Sequence, residues 1–319
     1  MISAFTLSNN RLNQIHLEED DDLRSDHPVW IDMVSATAEE RSWVEQTYRL
    51  ILPKPEHLRD IEASARFYEE NGEVHLRSDF LLGKLSDSRS VTVAFVLTGN
   101  ILISVHDEDL PVFHNLRSRT HLQSGEIESS EDVLIDLYSM DVEFSADALE
   151  EVYADLGQVS QAVLKTKLTD KQASDVLASI AQAEHLNGRI RRNVMDTRRA
   201  ISFLMRSKLL SPDQLDDARQ IMQDIDSLDG HTSFLFDKIN FLMSATVGFI
   251  NINQNKIVRL FSVASVTLLP PMLIASIYGM NFRYMPELNW EWGYFFVLIL
   301  IGLSVLLPFW FFNRRGWLK

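Results

Sequence analysis

A row of side-chain oxygens recurs through residues 237–276 of this 319-residue chain. Stepping alternately by four and three from Asp237 gives Phe241, Ser244, Gly248, Asn251, Asn255, Val258, Ser262, Ser265, Leu269, Met272 and Ser276. Eight of these twelve positions are charged, polar or glycine, although their surroundings are mostly apolar. The spacing is the 3.5-residue repeat of a coiled-coil seam, with its polarity inverted. Two readings of the seam stand side by side. Small and polar residues let membrane helices pack closely. Alternatively, several copies of the helix surround water, and Val258, Leu269 and Met272 form apolar rings able to block conduction by dewetting. Two spans per chain cannot enclose a conduit, so the second reading needs a ring of subunits. A second group, Asp213, Asp217 and Asp224, occupies one helical face, with Asp226 and Asp229 just beyond. Such carboxylates either solvate a surface or gather divalent cations. A third feature is the stretch SIYGMNFRYMPEL at residues 276–288, where a neutral amide, Asn281, stands between two apolar runs.

Those runs are the elements that must position the seam. Between Arg259 and Arg283 lie 23 uncharged residues, and between Glu291 and Arg314 lie 22 more. Each exceeds the roughly 20 residues needed to cross a hydrocarbon core. Trp290, Trp292, Trp310 and Trp317 flank the second run as an interfacial aromatic belt would. Lys256 and Arg259 precede the first run, and Arg314, Arg315 and Lys319 follow the second. By the positive-inside rule both ends are cytoplasmic and the short loop faces outside. A bacterial inner-membrane protein is the expectation. Pro270-Pro271 inside the first run predicts a kink or loosened turn. A helix continuous from His231 to Ile277 would have 47 residues and run ~70 Å, so the span extends inward as a stalk.

From Lys256 onward six basic side chains face two acidic ones, a net +4, which leaves −19 of the total −15 on the first 255 residues. An acidic body argues against nucleic acid, which requires clustered Lys and Arg. It suits divalent cations. The absence of cysteine excludes disulfides and thiolate metal sites. The start, MISAFTLSNN, has no basic n-region and apolar core of a signal peptide. Residues 1–125 alternate strand and helix signals. Asn9-Asn10, Asn71-Gly72 and Gly99-Asn100 mark turns, and Thr37 with Glu40 forms a capping box. The acidic run Glu18–Asp22 reads as a loop. The expected organisation is an α/β cytoplasmic domain at 1–125 and a helical region at 126–230. A stalk and first span at 231–277, an outer loop at 278–292, a second span at 293–313 and a basic tail at 314–319 complete it.

Tyr278-Gly279-Met280-Asn281 at the end of the first span, Met285-Pro286-Glu287-Leu288 after it, and the tail Arg314, Arg315, Trp317, Leu318 together resemble the CorA family of magnesium transport proteins. The resemblance extends through DIEASARF (60–67), MDTRRAISFL (195–204) and GFININ (248–253), nearly the whole chain. It implies a homopentamer with a funnel-shaped cytoplasmic part, the first span of each subunit lining the pore. It also implies uptake of Mg²⁺, with Co²⁺ and often Ni²⁺ carried. Under the resemblance Asn281 forms the outer selectivity ring, shaped by Gly279 and Met280. Asn255, Val258, Leu269, Met272 and Ser276 fall where relatives line the pore; Ser262 and Ser265 lie on the same seam. Two positions depart from the family pattern. Arg283 stands where relatives have an acid, which makes Glu287 the better cation-gathering candidate. Met272 stands where they have threonine.

Mg²⁺ sheds water reluctantly, and neutral amide oxygens can accept hydrogen bonds from its hydration shell. Entry is then driven by membrane potential. Asp213, Asp217 and Asp224 are the regulatory metal candidates: ions between subunits would offset carboxylate repulsion and favour a closed ring. No organic cofactor is expected, and no Walker A pattern is present. A zinc transporter of the same superfamily, of the ZntB type, is the nearest rival; a non-conducting membrane-anchored sensor or scaffold is another. The nine histidines form no HExxH pattern, so an enzyme is not expected.

Overall fold

The computed structural model describes residues 1–8, 11–15, 27–53, 66–83, 88–122, 127–164, 169–281, 283, 285–286 and 290–317. Asn9-Asn10, the run Glu18–Asp22 and Glu287 lie outside the described residues. The chain forms two compact units, Met1–Thr166 with Ser174–Met243, and Lys167–Ala173 with Ser244–Lys319.

The first unit opens with strands β1 (Ile2–Ser8), β2 (Arg11–Ile15) and β3 (Trp30–Val34), then helix α1 (Ala38–Tyr48). Strands β4 (Phe67–Glu70), β5 (Glu73–Leu82), β6 (Arg89–Thr98) and β7 (Ile101–His106) follow. They form one sheet in the order β2-β1-β3-β7-β6-β5-β4. Among the described strands only β3 and β7 pair in parallel. Both expected tight hairpins are present. Asn71 (φ 53°) and Gly72 (φ 81°) adopt the left-handed backbone that a two-residue turn requires, closing Glu70 onto Glu73. Gly99 (φ 57°) adopts it at the first turn position and with Asn100 closes Thr98 onto Ile101.

Strand alternation sends two sets of side chains to opposite faces. Ile31, Met33, Ala94, Val96, Ile103 and Val105 pack on one face with Val44 of α1. The other face carries an aromatic cluster. Phe80, Phe95, Phe113 and Tyr138 have ring centroids 5.6–6.3 Å apart, and Trp30 stacks on Phe5 at 4.6 Å. Phe113 comes from α2 (Pro111–Leu122) and Tyr138 from α3 (Ser130–Leu164), so helices cover both faces. Phe95 sits at the centre of this cluster and is fully buried. Phe95→Ala is expected to cost about 3–5 kcal/mol in denaturant unfolding of the full chain, through lost burial and the cavity left behind.

Under the aromatics lies an ionic network. Asp32 accepts from Ser104 Oγ (2.7 Å) and Arg117 Nη1 (2.6 Å) and pairs with His106 Nε2 (2.9 Å). Burial opposes charge on His106, but the Asp32 carboxylate outweighs it and raises the imidazole pKa. Ser104 and His106 both address Oδ1 of Asp32 rather than each other. Arg117 tethers α2 to the sheet through Asp32, and Ser104 and His106 make no nucleophile–base pair.

Two long helices complete the first unit, α4 (Asp170–Leu204) and the start of α5 (Pro212–Tyr278). Their starts, and that of α3, share a device already seen at Thr37 and Glu40, whose side chains each accept from the other's backbone N–H. Ser129 and Asp132, Thr169 and Gln172, and Ser211 and Gln214 make the same reciprocal pair. Each satisfies two otherwise orphaned donors.

Candidate functional site

Helix α5 begins at Pro212, well before the stalk start expected at His231, and runs 67 residues without a break through Pro270-Pro271. Each proline removes a donor, so the Val266 and Thr267 carbonyls lack their i+4 N–H. The Thr267 hydroxyl is itself buried without a hydrogen-bond partner.

The helix has a buried stripe as regular as its polar seam. Ala218, Ile221, Ile225, Leu228, Thr232, Leu235, Ile239 and Leu242 are buried at alternating steps of three and four. Facing groups from α4 and α3 hold this part in place. Asn187 Nδ2 donates to the Thr232 carbonyl (3.0 Å), Arg191 pairs with Asp229 (3.2 Å), Arg198 pairs with Asp226 (2.9 Å), and Tyr153 Oη contacts His231 (2.9 Å). Asp226 and Asp229 are thus engaged in ion pairs.

Within the second unit the buried positions of α5 are Thr246, Val263, Thr267 and Pro271. At 3.6 residues per turn the last three lie opposite Val258, Ser262, Ser265, Leu269, Met272 and Ser276. Every member of the polar seam from Asp237 to Ser276 is exposed, except half-buried Gly248. Val258, Leu269 and Met272 are 62%, 61% and 66% exposed, which is costly for such side chains in water and calls for a covering neighbour or lipid. The Ser262 hydroxyl donates to the Val258 carbonyl (2.9 Å), which leaves its oxygen as an outward acceptor. Asn255 at the inner end is exposed as well.

At the outer end the helix closes on Gly279, whose N–H donates to the Ala275 carbonyl (3.0 Å). A Cβ there would lie 3.1 Å from that same oxygen, a tight contact that favours glycine. Met280 and Asn281 follow directly and both are exposed, as is Arg283. Helix α6 (Gly293–Arg314) starts beside this point. Ala275, Tyr278 and Gly279 of α5 and Gly293, Tyr294 and Val297 of α6 line a common groove of about 450 Å³. At its far end α6 stacks Arg314 on Trp310 (5.4 Å) and Arg315 on Phe311 (5.0 Å), a basic, aromatic-backed tail. Both α5 and α6 are long and apolar enough to cross a membrane.

The three candidate regulatory aspartates are all exposed on one face of α5 near its start. Asp217 and Asp224 line a groove of about 380 Å³ with Asp132 and Asp136 of α3, whereas Asp213 does not. Among the described residues no three acidic or histidine side chains are grouped to hold a metal within one chain.

The model of CorA-like Mg²⁺ transporter proteins matches residues 25–315. The chain belongs to that family. It is 41% identical over all 319 residues to the magnesium transport protein CorA of Escherichia coli, covering the whole of both chains. Its fold matches the complete CorA magnesium transporter of Methanocaldococcus jannaschii with a TM-score of 0.80 at 17% identity, over 99% of this chain and 98% of that one. The ZntB cytoplasmic domain of Vibrio parahaemolyticus matches at 0.60 and 13% identity, over 78% of this chain and 97% of that one. The α/β domain, long helices and two C-terminal apolar helices expected of the family are all present. Family membership makes this a membrane transport protein.

Proposed function

We propose that the chain is a channel-type transporter that admits Mg²⁺ across the bacterial inner membrane as a homopentamer, with Co²⁺ and Ni²⁺ as further cargo. The observation that carries this reading is the polar seam of α5, exposed along its length and opposite the buried stripe. A single subunit leaves the seam uncovered; a ring of subunits turns it toward a common axis. Asn281 then receives the hydrated ion at the mouth, and Ser276, Ser265, Ser262 and Asn255 accept hydrogen bonds from its waters along the way. Gly279 and Met280 set the backbone that presents the amide. Val258, Leu269 and Met272 are the constrictions. With both termini in the cytoplasm, a membrane potential of 100 mV contributes about 4.6 kcal/mol to the entry of a divalent ion. Glu287 is retained as the cation-gathering residue of the loop.

Mg²⁺ flux into proteoliposomes, measured against Zn²⁺ in the same vesicles, tests the proposal. Faster Zn²⁺ than Mg²⁺ entry would favour the zinc-transporter reading, and no flux of any ion would favour a sensor or scaffold.

Gating is assigned to the acidic body. Internal Mg²⁺ held between subunits at Asp213, Asp217 and Asp224 offsets their repulsion and stabilises the closed ring. Changing all three to asparagine is expected to shift the internal Mg²⁺ needed for half-inhibition upward by about tenfold, a change of ~1.4 kcal/mol. Unaltered inhibition would remove these residues from the gate.

A further inference from the structure

Where α3 and α4 meet β5, the first unit buries two carboxylates, of which one is paired with a cation. Asp141 on α3 is completely buried, and Asp196 on α4 is 3% exposed. Asp196 accepts from Arg66 Nη2 (2.7 Å) and from the backbone N–H of Asp79 (2.9 Å). Arg66 also pairs with Asp79 (3.5 Å), which in turn accepts from Thr92 Oγ1 (2.7 Å). Among the described residues no cation pairs with Asp141. Its two oxygens accept from Asn193 Nδ2 at 3.0 Å each, and Oδ2 also accepts from Thr197 Oγ1 (2.9 Å). The charged and titratable groups facing this pocket are Asp141, Asp196, Asp79, Arg66, the exposed Arg199, and Tyr138, whose hydroxyl shares a 2.8 Å contact with Ser78. Asp196 and Asp79 therefore share the Arg66 guanidinium, whereas Asp141 is held by neutral donors. An uncompensated buried carboxylate costs several kcal/mol, and taking up a proton relieves it.

A second observation points to the same ligand. The Asn193 carbonyl oxygen, on the amide whose nitrogen contacts Asp141, is buried and has no hydrogen-bond partner. Turning that amide over would exchange Nδ2 for Oδ1 opposite the carboxyl group. One orientation donates to a carboxylate; the other accepts from a carboxylic acid. The side chain thus carries the partner required for each protonation state.

We propose that Asp141 and Asn193 form a buried proton-binding site that locks α3 and α4 together on the sheet and makes the packing of this unit pH-sensitive. Burial raises both acids, Asp141 to about 7 and Asp196 to about 6. Arg66 opposes the shift at Asp196, so Asp141 is the group that holds the proton. The direction follows from linkage. The folded unit binds a proton that the unfolded chain, with an ordinary aspartate pKa near 4, has already released. The stabilisation is greatest near pH 4 and declines as pH rises, until it is gone above about pH 7.

The test uses the full-length protein in detergent. Thermal unfolding between pH 5.5 and 8 should show wild type losing stability as pH rises, and Asp141→Asn should flatten that slope. Infrared pH-difference spectra of the wild type should show a protonated-carboxyl band that disappears through pH 7 and is absent from Asp141→Asn. If that variant does not fold, Asn193→Ala, which keeps the acid but removes its switching amide, should shift the midpoint of the band. A wild type without a titrating carboxyl band, or an Asp141→Asn protein with the wild-type pH slope, would overturn the assignment.

Discussion

Asn281→Ala should lower Mg²⁺ entry by roughly thirtyfold while leaving the oligomer intact. Losing two hydrogen bonds of ~1 kcal/mol each between the mouth and the ion's waters removes ~2 kcal/mol of recognition. The side chain is exposed and two residues past the end of α5's hydrogen-bonding ladder, so its truncation leaves no buried cavity. The measurement is Mg²⁺ uptake into proteoliposomes, with size-exclusion chromatography of the same preparation. Undiminished flux and selectivity with the oligomer intact would end the proposed role. Arg283, two residues on, adds a positive charge by the proposed mouth, an unfavourable neighbour for a cation; we propose that the carboxylate of Glu287, four residues further along the sequence, offsets it.

The second large effect concerns Leu269. As a ring of side chains on the seam it would hold an apolar constriction closed to water. Leu269→Ser is expected to hydrate that ring and raise flux about tenfold under inhibiting internal Mg²⁺, since ~1.4 kcal/mol off the barrier suffices. Leu269→Met, which keeps the position apolar, should remain inhibited. The pair of variants also separates the two readings of the seam. If Leu269 faces lipid or a dry helix contact, the serine lowers stability without raising flux.

Much of the site was legible in the residues because its signals are local. The 3.5-residue recurrence of Ser244, Asn251, Asn255, Ser262, Ser265 and Ser276 needs only helix geometry, and α5 is helical throughout that stretch. The Thr37 capping box and the Asn71-Gly72 hairpin likewise depend on neighbours within four residues. Ser129 with Asp132, Thr169 with Gln172 and Ser211 with Gln214 carry the same spacing and were readable in principle. The last of these would have placed the start of α5 at Pro212.

What the sequence by itself determined is therefore periodic and short-range: two apolar runs, the polar seam between Asp237 and Ser276, the turns, and the glycine before Met280-Asn281. Tertiary structure alone decided the rest. It chose which stripe of α5 is covered, since Ala218 to Leu242 is buried by partners far away in the chain. It set Asp217 and Asp224 beside Asp132 and Asp136 of α3, and paired Asp226 and Asp229 with arginines of α4. It also brought Asp141 to Asn193, 52 residues away, with no counter-charge among the described residues. Backbone geometry repeats every few residues and leaves a pattern in the chain. Loss of water around a carboxylate depends on which distant surfaces close over it, and no local pattern encodes that.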